Sequence, residues 1–387
     1  MEECKLKWVK KAEKQSKNIV SVSFFTFKTA YKPVEYYGKG LKMISDVIEK
    51  KEDIMLRVFY DSSIKKENET IKEIKENKRT ELIYCDCDEI IPEEKRYFFM
   101  SIMRFMCYFD YEENKGTTIF VTDIDMSENK KEDYINYILS DFEKIIKEKI
   151  DFYYKYAMCY KPFWKKELET GVKISSIILG GYNGGKGKID KKIFIKFIKS
   201  FMRNDDKFIN KYKKIYKNYI KNPKIKENYK EKKKSTISLK GDDYGFNYGF
   251  DEFFLNYYIF PEMLKYKKIC YRKSHPQGHI YILLLTSLKK NKETEEFIKK
   301  YDSRFKTVKE FIEYFKIPDY EGKDKEKQEI YNNFIKKIKE KGRNLIDKDR
   351  YNCLMENEKY ITEKNMEKCI EKEERKKIIK EIEKLKN

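Results

Sequence analysis

The chain is 387 residues long, 40% hydrophobic and 16% aromatic, enough apolar side chain for a large core and too much for a disordered chain. Charged residues make up another 40%, and the formal net charge is +21. Lys is enriched together with Ile, Asn, Tyr and Phe, the residues of A/T-rich codons, so the cationic excess reads as solvated surface. A nucleic-acid footprint draws on Arg and exposed aromatics instead.

In chain order, "NIVSVSFFTF" (18–27) predicts a buried strand, and "GKGLKMISDVIEKK" a helix with Leu41, Ile44 and Ile48 on one face. "IMLRVFYD" is a second strand ending on Asp61, followed by the helical "NETIKEIKENK". "TELIYCDCD" is a third, again closed by acid. Pro92 then opens a helix whose apolar run "FFMSIMRFMCYF" is interrupted by Arg104. "TTIFVTD" is the fourth strand. The segment "DYINYILSDFEKIIKEKI" is amphipathic, with Ile135, Ile138, Leu139, Phe142, Ile145 and Ile146 on one side. "ISSIILGGYNGGKGK" and the helical "DKKIFIKFIKSFM" lead into a Lys-rich insertion at about 207–240. "YGFDEFFLNYYIFPEM" is an apolar helix and "GHIYILLLTSL" a last strand; from 289 onward the chain is Lys/Glu-rich and helical. The alternation predicts an α/β sheet covered by helices, in a domain over 1–288 with a charged helical extension over 289–387.

The eight cysteines show no C-x2-C pair and no compact framework, so reduced thiols are expected. No apolar run is long enough to span a bilayer, and the first residues lack the apolar stretch of a secretory signal. A cytoplasmic protein is the expectation, with the C-terminal helices available to a protein partner.

Five constellations could carry chemistry. Asp123 and Asp125 follow the fourth strand at i and i+2, either as turn residues or as hard oxygen ligands for Mg2+ or Mn2+. In α/β sheets ligands gather at the carboxyl ends of the strands, where this pair falls. Asp251 and Glu252 open a helix, where the dipole favours acid; equally, one could accept a proton from a hydroxyl. His275 and His279 are the two histidines of the chain, structural or metal-ligating. Gly180 to Lys186 fits G-x-x-x-x-G-K, but Gly187 replaces the hydroxyl residue, so a glycine wall that backbone and ligand can approach is expected over a P-loop. Arg104 is either a snorkelling surface residue or a cation aimed at phosphate or at the acidic rim.

The ordered set "VSFFTF", "LRVFYD", "MRFM", "VTDID", "IILGGYNGG" and "YGFDEFFLNYYIFP" resembles the GT-A-fold nucleotide-diphospho-sugar glycosyltransferases, in particular the glycosyltransferase-like proteins of large DNA viruses, over roughly residues 18–285. The resemblance implies a GT-A-like (Rossmann-like) mixed central sheet and a metal-dependent transfer of sugar from a nucleoside-diphosphate donor to a glycan, protein or small-molecule acceptor. It implies that Asp123 and Asp125 hold Mn2+ or Mg2+ under the diphosphate, with His279 or His275 completing the shell. Phe25, Thr26 and Asp61 would lie by the nucleoside, and Gly181, Tyr182, Gly184 and Gly185 would border the sugar or acceptor. Asp251 or Glu252 would face the transferred sugar or the acceptor hydroxyl. If viral, the protein belongs to the host cytoplasm or the virion. The insertion and the tail have no counterpart. Two alternatives stand beside this one: a two-metal nucleotidyl or phosphoryl transferase acting on nucleic acid, and a sugar-nucleotide-binding homologue without activity.

Overall fold

The computed structural model describes residues 5–26, 33–65, 67–125, 131–157, 178–203, 250–274, 288–289, 291–315, single positions between 329 and 345, and 367–386. The Lys-rich insertion, both histidines and the body of the expected strand over 278–288 lie outside the described residues.

The elements run β1 (Lys5–Lys10), β2 (Asn18–Phe24), α1 (Val34–Glu49), β3 (Met55–Tyr60), α2 (Glu69–Glu76), β4 (Thr80–Asp86), α3 (Glu93–Met103) and a 3-10 turn (Arg104–Tyr108). Then come β5 (Thr118–Thr122), α4 (Lys131–Lys147), β6 (Phe152–Ala157), β7 (Ile178–Lys186), α5 (Lys191–Met202) and α6 (Phe250–Phe254). A π-helical turn (Leu255–Ile259) joins α6 to α7 (Phe260–Met263), and β8 (Ile269–Ser274), α8 (Lys292–Tyr301), α9 (Val308–Phe315), β9 (Glu367–Cys369) and α10 (Lys372–Lys386) complete the described elements. Among the described residues nine strands form one sheet in the order β1-β4-β3-β2-β5-β7-β6-β8-β9.

β4, β3, β2 and β5 are mutually parallel, and β1 and β7 run antiparallel to their neighbours β4 and β5. The sheet is therefore mixed, with the Rossmann-like arrangement in which the chain reverses direction between β2 and β5. Both faces of its central strands are buried: every residue of β3 is, and six of the seven in β2, which is why they read as apolar runs. On one face α1, α2 and α4 cover Val20, Val22, Leu56, Val58, Leu82 and Phe120. Phe120 sits between Phe142 and Tyr182, with ring centroids 5.6 and 5.1 Å away; each such buried ring contributes about 2–3 kcal/mol. On the other face an aromatic cluster links the 3-10 turn, α5 and α6, with Phe197 and Phe254 at 4.3 Å and Phe109 and Phe194 at 5.2 Å. Arg57 is buried there with Glu81 at 2.7 Å and Asn114 at 2.8 Å, its charge matched and its donors engaged.

The division of the chain differs from the sequence expectation. One compact unit comprises 1–155, 161–271 and 368–387, and the other 156–160 and 272–367. The second starts near 272 rather than 289, and the last twenty residues rejoin the first through β9 and α10. In the second unit Phe311 packs on Phe305 at 5.0 Å and on Phe334 at 4.6 Å.

The expectation of reduced thiols is overturned at Cys270 and Cys369, which form a disulfide across β8 and β9. These are neighbouring strands, with the Ile370 N–H donating to the Ile269 carbonyl at 2.8 Å, so the two Cβ atoms are brought together despite 99 residues of separation. Cys87 is also disulfide-bonded, whereas Cys85 and Cys107 are free and buried. No helix among the described residues is long and apolar enough to cross a membrane.

Candidate functional site

The parallel strands β2, β3, β4 and β5 all end on one rim, as the acid-terminated runs predict. Asp123 is the first residue beyond β5. Its neighbours follow from register: Ser21 pairs with Val121 and Tyr182 with Thr122, which brings Ser23 and Gly181 level with Asp123 on either side. A Cβ at Gly181 would overlap the Asp123 carboxylate, and one at Gly180 would stand 2.7 Å from Asp251 Oδ2, 3.0 Å from Arg104 Nη2 and 3.2 Å from Glu252 Oε1. Two side-chain-free positions at the start of β7 thus let three carboxyl groups and a guanidinium converge on backbone.

Arg104 is the hinge of the cluster. α3 ends at Met103 and the chain tightens into the 3-10 turn, whose first carbonyl is held by the Ser21 hydroxyl at 2.7 Å. The guanidinium donates through Nη1 to Asp123 Oδ1 and through Nη2 to Asp251 Oδ2. Arg104 is 8% exposed, so its charge is stabilised by those carboxylates and stays on well above the ordinary range, against the cost of burial. Arg104 is thus not a snorkelling surface residue: its guanidinium is aimed at the acidic rim.

Glu252 hydrogen-bonds Asp251. Burial, followed by the neighbouring Asp251 charge, pushes its carboxyl well above the usual range. Below the unfolded-state value both states are protonated and this contribution to stability is complete; it is lost as pH rises through the raised folded value. Wild type should therefore lose stability as pH rises above the ordinary carboxylate range, by up to about 1.4 kcal/mol per pH unit. Glu252→Gln, which mimics the protonated acid, should remove that slope, as urea midpoints at pH 5, 6.5 and 8 would register.

A residue that sequence reasoning missed fixes this end of the site. Asn256, fully buried in the π-helical turn, accepts from the Ile178 N–H at 2.9 Å and donates to the Ile178 carbonyl at 3.1 Å and the Glu252 carbonyl at 2.7 Å. One amide ties α6 to the start of β7, and so Asp251 and Glu252 to Gly180; π turns recur at functional sites. Tyr97 was missed as well. Its ring lies 5.6 Å from that of Phe25, and its hydroxyl is held neutral by burial and by the charges of Asp251 and Glu252.

The other expected site residues fall as follows. Phe25 and Thr26 lie just beyond β2, half-buried. Asp61 is on the rim but 2% exposed, and one carboxylate oxygen takes both the N–H and the hydroxyl of Ser63. Ser63 Oγ in turn accepts from the Thr26 N–H at 3.0 Å, so Asp61 supports the segment just beyond β2 through Ser63. Burial raises its carboxyl despite those bonds.

Tyr182 points away from the cluster, its hydroxyl donating to Asp141 Oδ2 at 2.6 Å beneath α4 and its ring 3.2 Å from Lys155 Nζ. Gly184 and Gly185 pair with Phe120 and Ile119, roughly 10 Å back from the rim at about 3.3 Å per residue. A Cβ there would meet Ile119 O at 2.9 Å or Asp151 O at 2.6 Å, so these two glycines serve strand packing. The P-loop match is a β-strand, as Gly187 foretold.

Asp125 is exposed beyond Asp123, whose side chain is 53% exposed. His275 and His279 lie outside the described residues. Among the described residues no group of three or more His, Cys, Asp or Glu side chains is arranged to hold a metal ion. Two strand-tip carboxylates, Asp123 and Asp125, are of the hard-oxygen type that suits a divalent ion which keeps its waters and takes the rest of its shell from substrate phosphates.

Away from the rim, Lys192, Lys196, Lys199 and Arg203 line a cavity of about 420 Å3 along α5 with Ile195 and Ser200. No aromatic side chain joins that lining among the described residues.

Comparison of the chain with protein-family models, with curated proteins and with solved structures finds no match. The cluster's geometry and chemistry therefore carry the functional reading.

Gly181→Ala tests the contact nearest the metal-ligand candidates. The added methyl displaces Asp123, and we expect about 1–3 kcal/mol of lost stability from overpacking, together with weaker binding of any divalent ion that Asp123 ligates. Chemical denaturation and a binding titration on the same sample would check both.

Proposed function

We propose that the protein is a metal-dependent glycosyltransferase of GT-A type, moving a sugar from a nucleoside-diphosphate donor to an acceptor hydroxyl. The observation that carries this reading is the convergence of Asp123, Arg104, Asp251 and Glu252 on the side-chain-free backbone of Gly180 and Gly181. Paired carboxylates bridged by a guanidinium offer the planar acceptors and donors that neighbouring hydroxyl groups require. A mixed sheet, with Asp123 at the carboxyl end of β5 beside the point where strand order reverses, supports a nucleotide on the same rim.

In this reading Asp123 and Asp125 hold Mn2+ or Mg2+, which when bound neutralises the charge that gathers on the diphosphate leaving group. Phe25, Thr26 and Tyr97 flank the nucleoside side. Asp251 and Glu252 face the sugar and acceptor, where one of them takes the proton of the acceptor hydroxyl as general base. Arg104 orients Asp123 and Asp251 and keeps two carboxylates close together without mutual repulsion.

The two-metal alternative needs a further carboxylate beside the first pair. Asp251 and Glu252 come near Asp123 only through Arg104, and a cation is in the place where a second metal would sit. The test is release of UDP or GDP from a panel of sugar nucleotides by the full chain with Mn2+. Slow hydrolysis of at least one donor is expected, with Asp125→Ala reducing it at least 100-fold. Turnover of none, with cleavage or extension of a nucleic acid instead, would reverse the assignment.

A further inference from the structure

The charge of the cluster bears on which sugars it accepts. Three carboxyl groups, Asp123, Asp251 and Glu252, meet one guanidinium, and Arg104 is the cation that reaches Asp251 and Glu252 among the described residues. The protein's own charge there is negative whichever carboxyl carries a proton. A divalent ion and the diphosphate it holds largely cancel one another, so the transferred group meets that residual negative charge.

Two buried groups sit unsatisfied at the same place. Arg104 Nε, in a residue 8% exposed, has no hydrogen-bond partner, and neither does the Ser23 hydroxyl, level with Asp123 on β2. Buried polar groups are normally satisfied, so these two leave polar capacity unused beside the acidic cluster. Gly180 and Gly181 make room for the carboxyl groups, which a Cβ at either position would crowd. A neutral ring whose hydroxyls donate to carboxylates suits such an acidic surface; a carboxylate-bearing ring places like charge against Asp251, and such juxtaposition is strongly disfavoured.

We infer that the donor site selects a neutral, hydroxyl-bearing sugar and rejects sugars that carry a carboxylate. This rests on the glycosyltransferase reading above and adds the charge class of the sugar to it.

The test uses matched donors that differ in a single group: UDP-glucose against UDP-glucuronate, and GDP-mannose against GDP-mannuronate. Each is titrated calorimetrically into the full chain with Mn2+. The neutral member of at least one pair should bind 10-fold or more tightly than its acid, about 1.4 kcal/mol. Asp251→Asn should narrow that ratio to below 3-fold by removing a charge, and Asp251→Ser serves in its place if that variant does not fold. Equal or tighter binding of both acids would overturn the neutral-sugar inference while leaving the transferase reading intact. Binding of UDP and GDP without any gain from either sugar would overturn it too, by showing that the cluster does not contact the sugar. Binding of no member, nor of free UDP or GDP, would overturn both.

Discussion

Replacing Arg104 by Met should cost about 3 kcal/mol of stability and abolish donor binding. The guanidinium is engaged on both sides, and its neighbours differ in how much water they see: the Asp123 side chain is 53% exposed and that of Asp251 17%. Water can take over solvation of Asp123, so loss of that half of the bridge costs little. Asp251, beside Glu252 and against Gly180, would be left a buried carboxylate without a counter-ion, a loss that typically costs 3–5 kcal/mol. Arg104→Lys keeps the charge but not the fork, and should fall between. Combining Arg104→Met with Asp251→Asn should recover much of the loss, because the uncompensated charge is gone; a double-mutant cycle by urea denaturation would show the coupling. An Arg104→Met protein within 0.5 kcal/mol of wild type would mean that the bridge is not what holds these acids.

The second large effect is expected at Cys270 and Cys369. Their disulfide closes a loop of 99 residues, and the chain-entropy estimate for a loop of that size is about 4–5 kcal/mol, with measured values more often about 2–4. β9 has few residues to pair, so the crosslink and the burial of Ile378 and Ile382 in α10 are what retain the C-terminal segment. The Cys270→Ala, Cys369→Ala double variant should lose about 2–4 kcal/mol, and hydrogen exchange over 368–386 should accelerate more than over β2 to β5. Unchanged exchange there would show that packing alone holds the segment. Such a pairing is one that oxidising surroundings sustain, a different chemistry from the reduced thiols that cysteine spacing suggests.

What could be read from sequence follows from what each residue does. β2, β3, β4 and β5 are buried on both faces and the last three end in or beside acid, so apolar runs and punctuation revealed them and the rim they share. β1 was invisible because it is an edge strand. Lys5, Lys7 and Lys10 keep it from pairing further, and "KLKWVK" therefore resembles solvated surface. β6 and β8 were missed because basic residues interrupt their short apolar stretches and neither has a period-2 pattern, whereas β9 is three residues long.

In the site, Asp123, Asp251 and Glu252 were legible as acids at element ends, and Arg104 as a charge in an apolar run. Their convergence was not, since it depends on β7 running antiparallel beside β5. Gly181 and Gly184 look alike in sequence: both are positions where something comes close, a carboxylate at one and a neighbouring strand and helix at the other. Asn256 could not have been found, because its partner is the backbone of a residue 78 positions away.

The most direct measurement is calorimetric titration of sugar nucleotides into the full chain, with and without Mn2+, repeated on an Asp123→Ala, Asp125→Ala double variant. The expected result is binding of at least one UDP- or GDP-sugar that needs Mn2+ and disappears in the variant. Binding that is indifferent to Mn2+ and to both aspartates, or salt-sensitive binding of nucleic acid with none of sugar nucleotide, would contradict a donor site at the tip of β5.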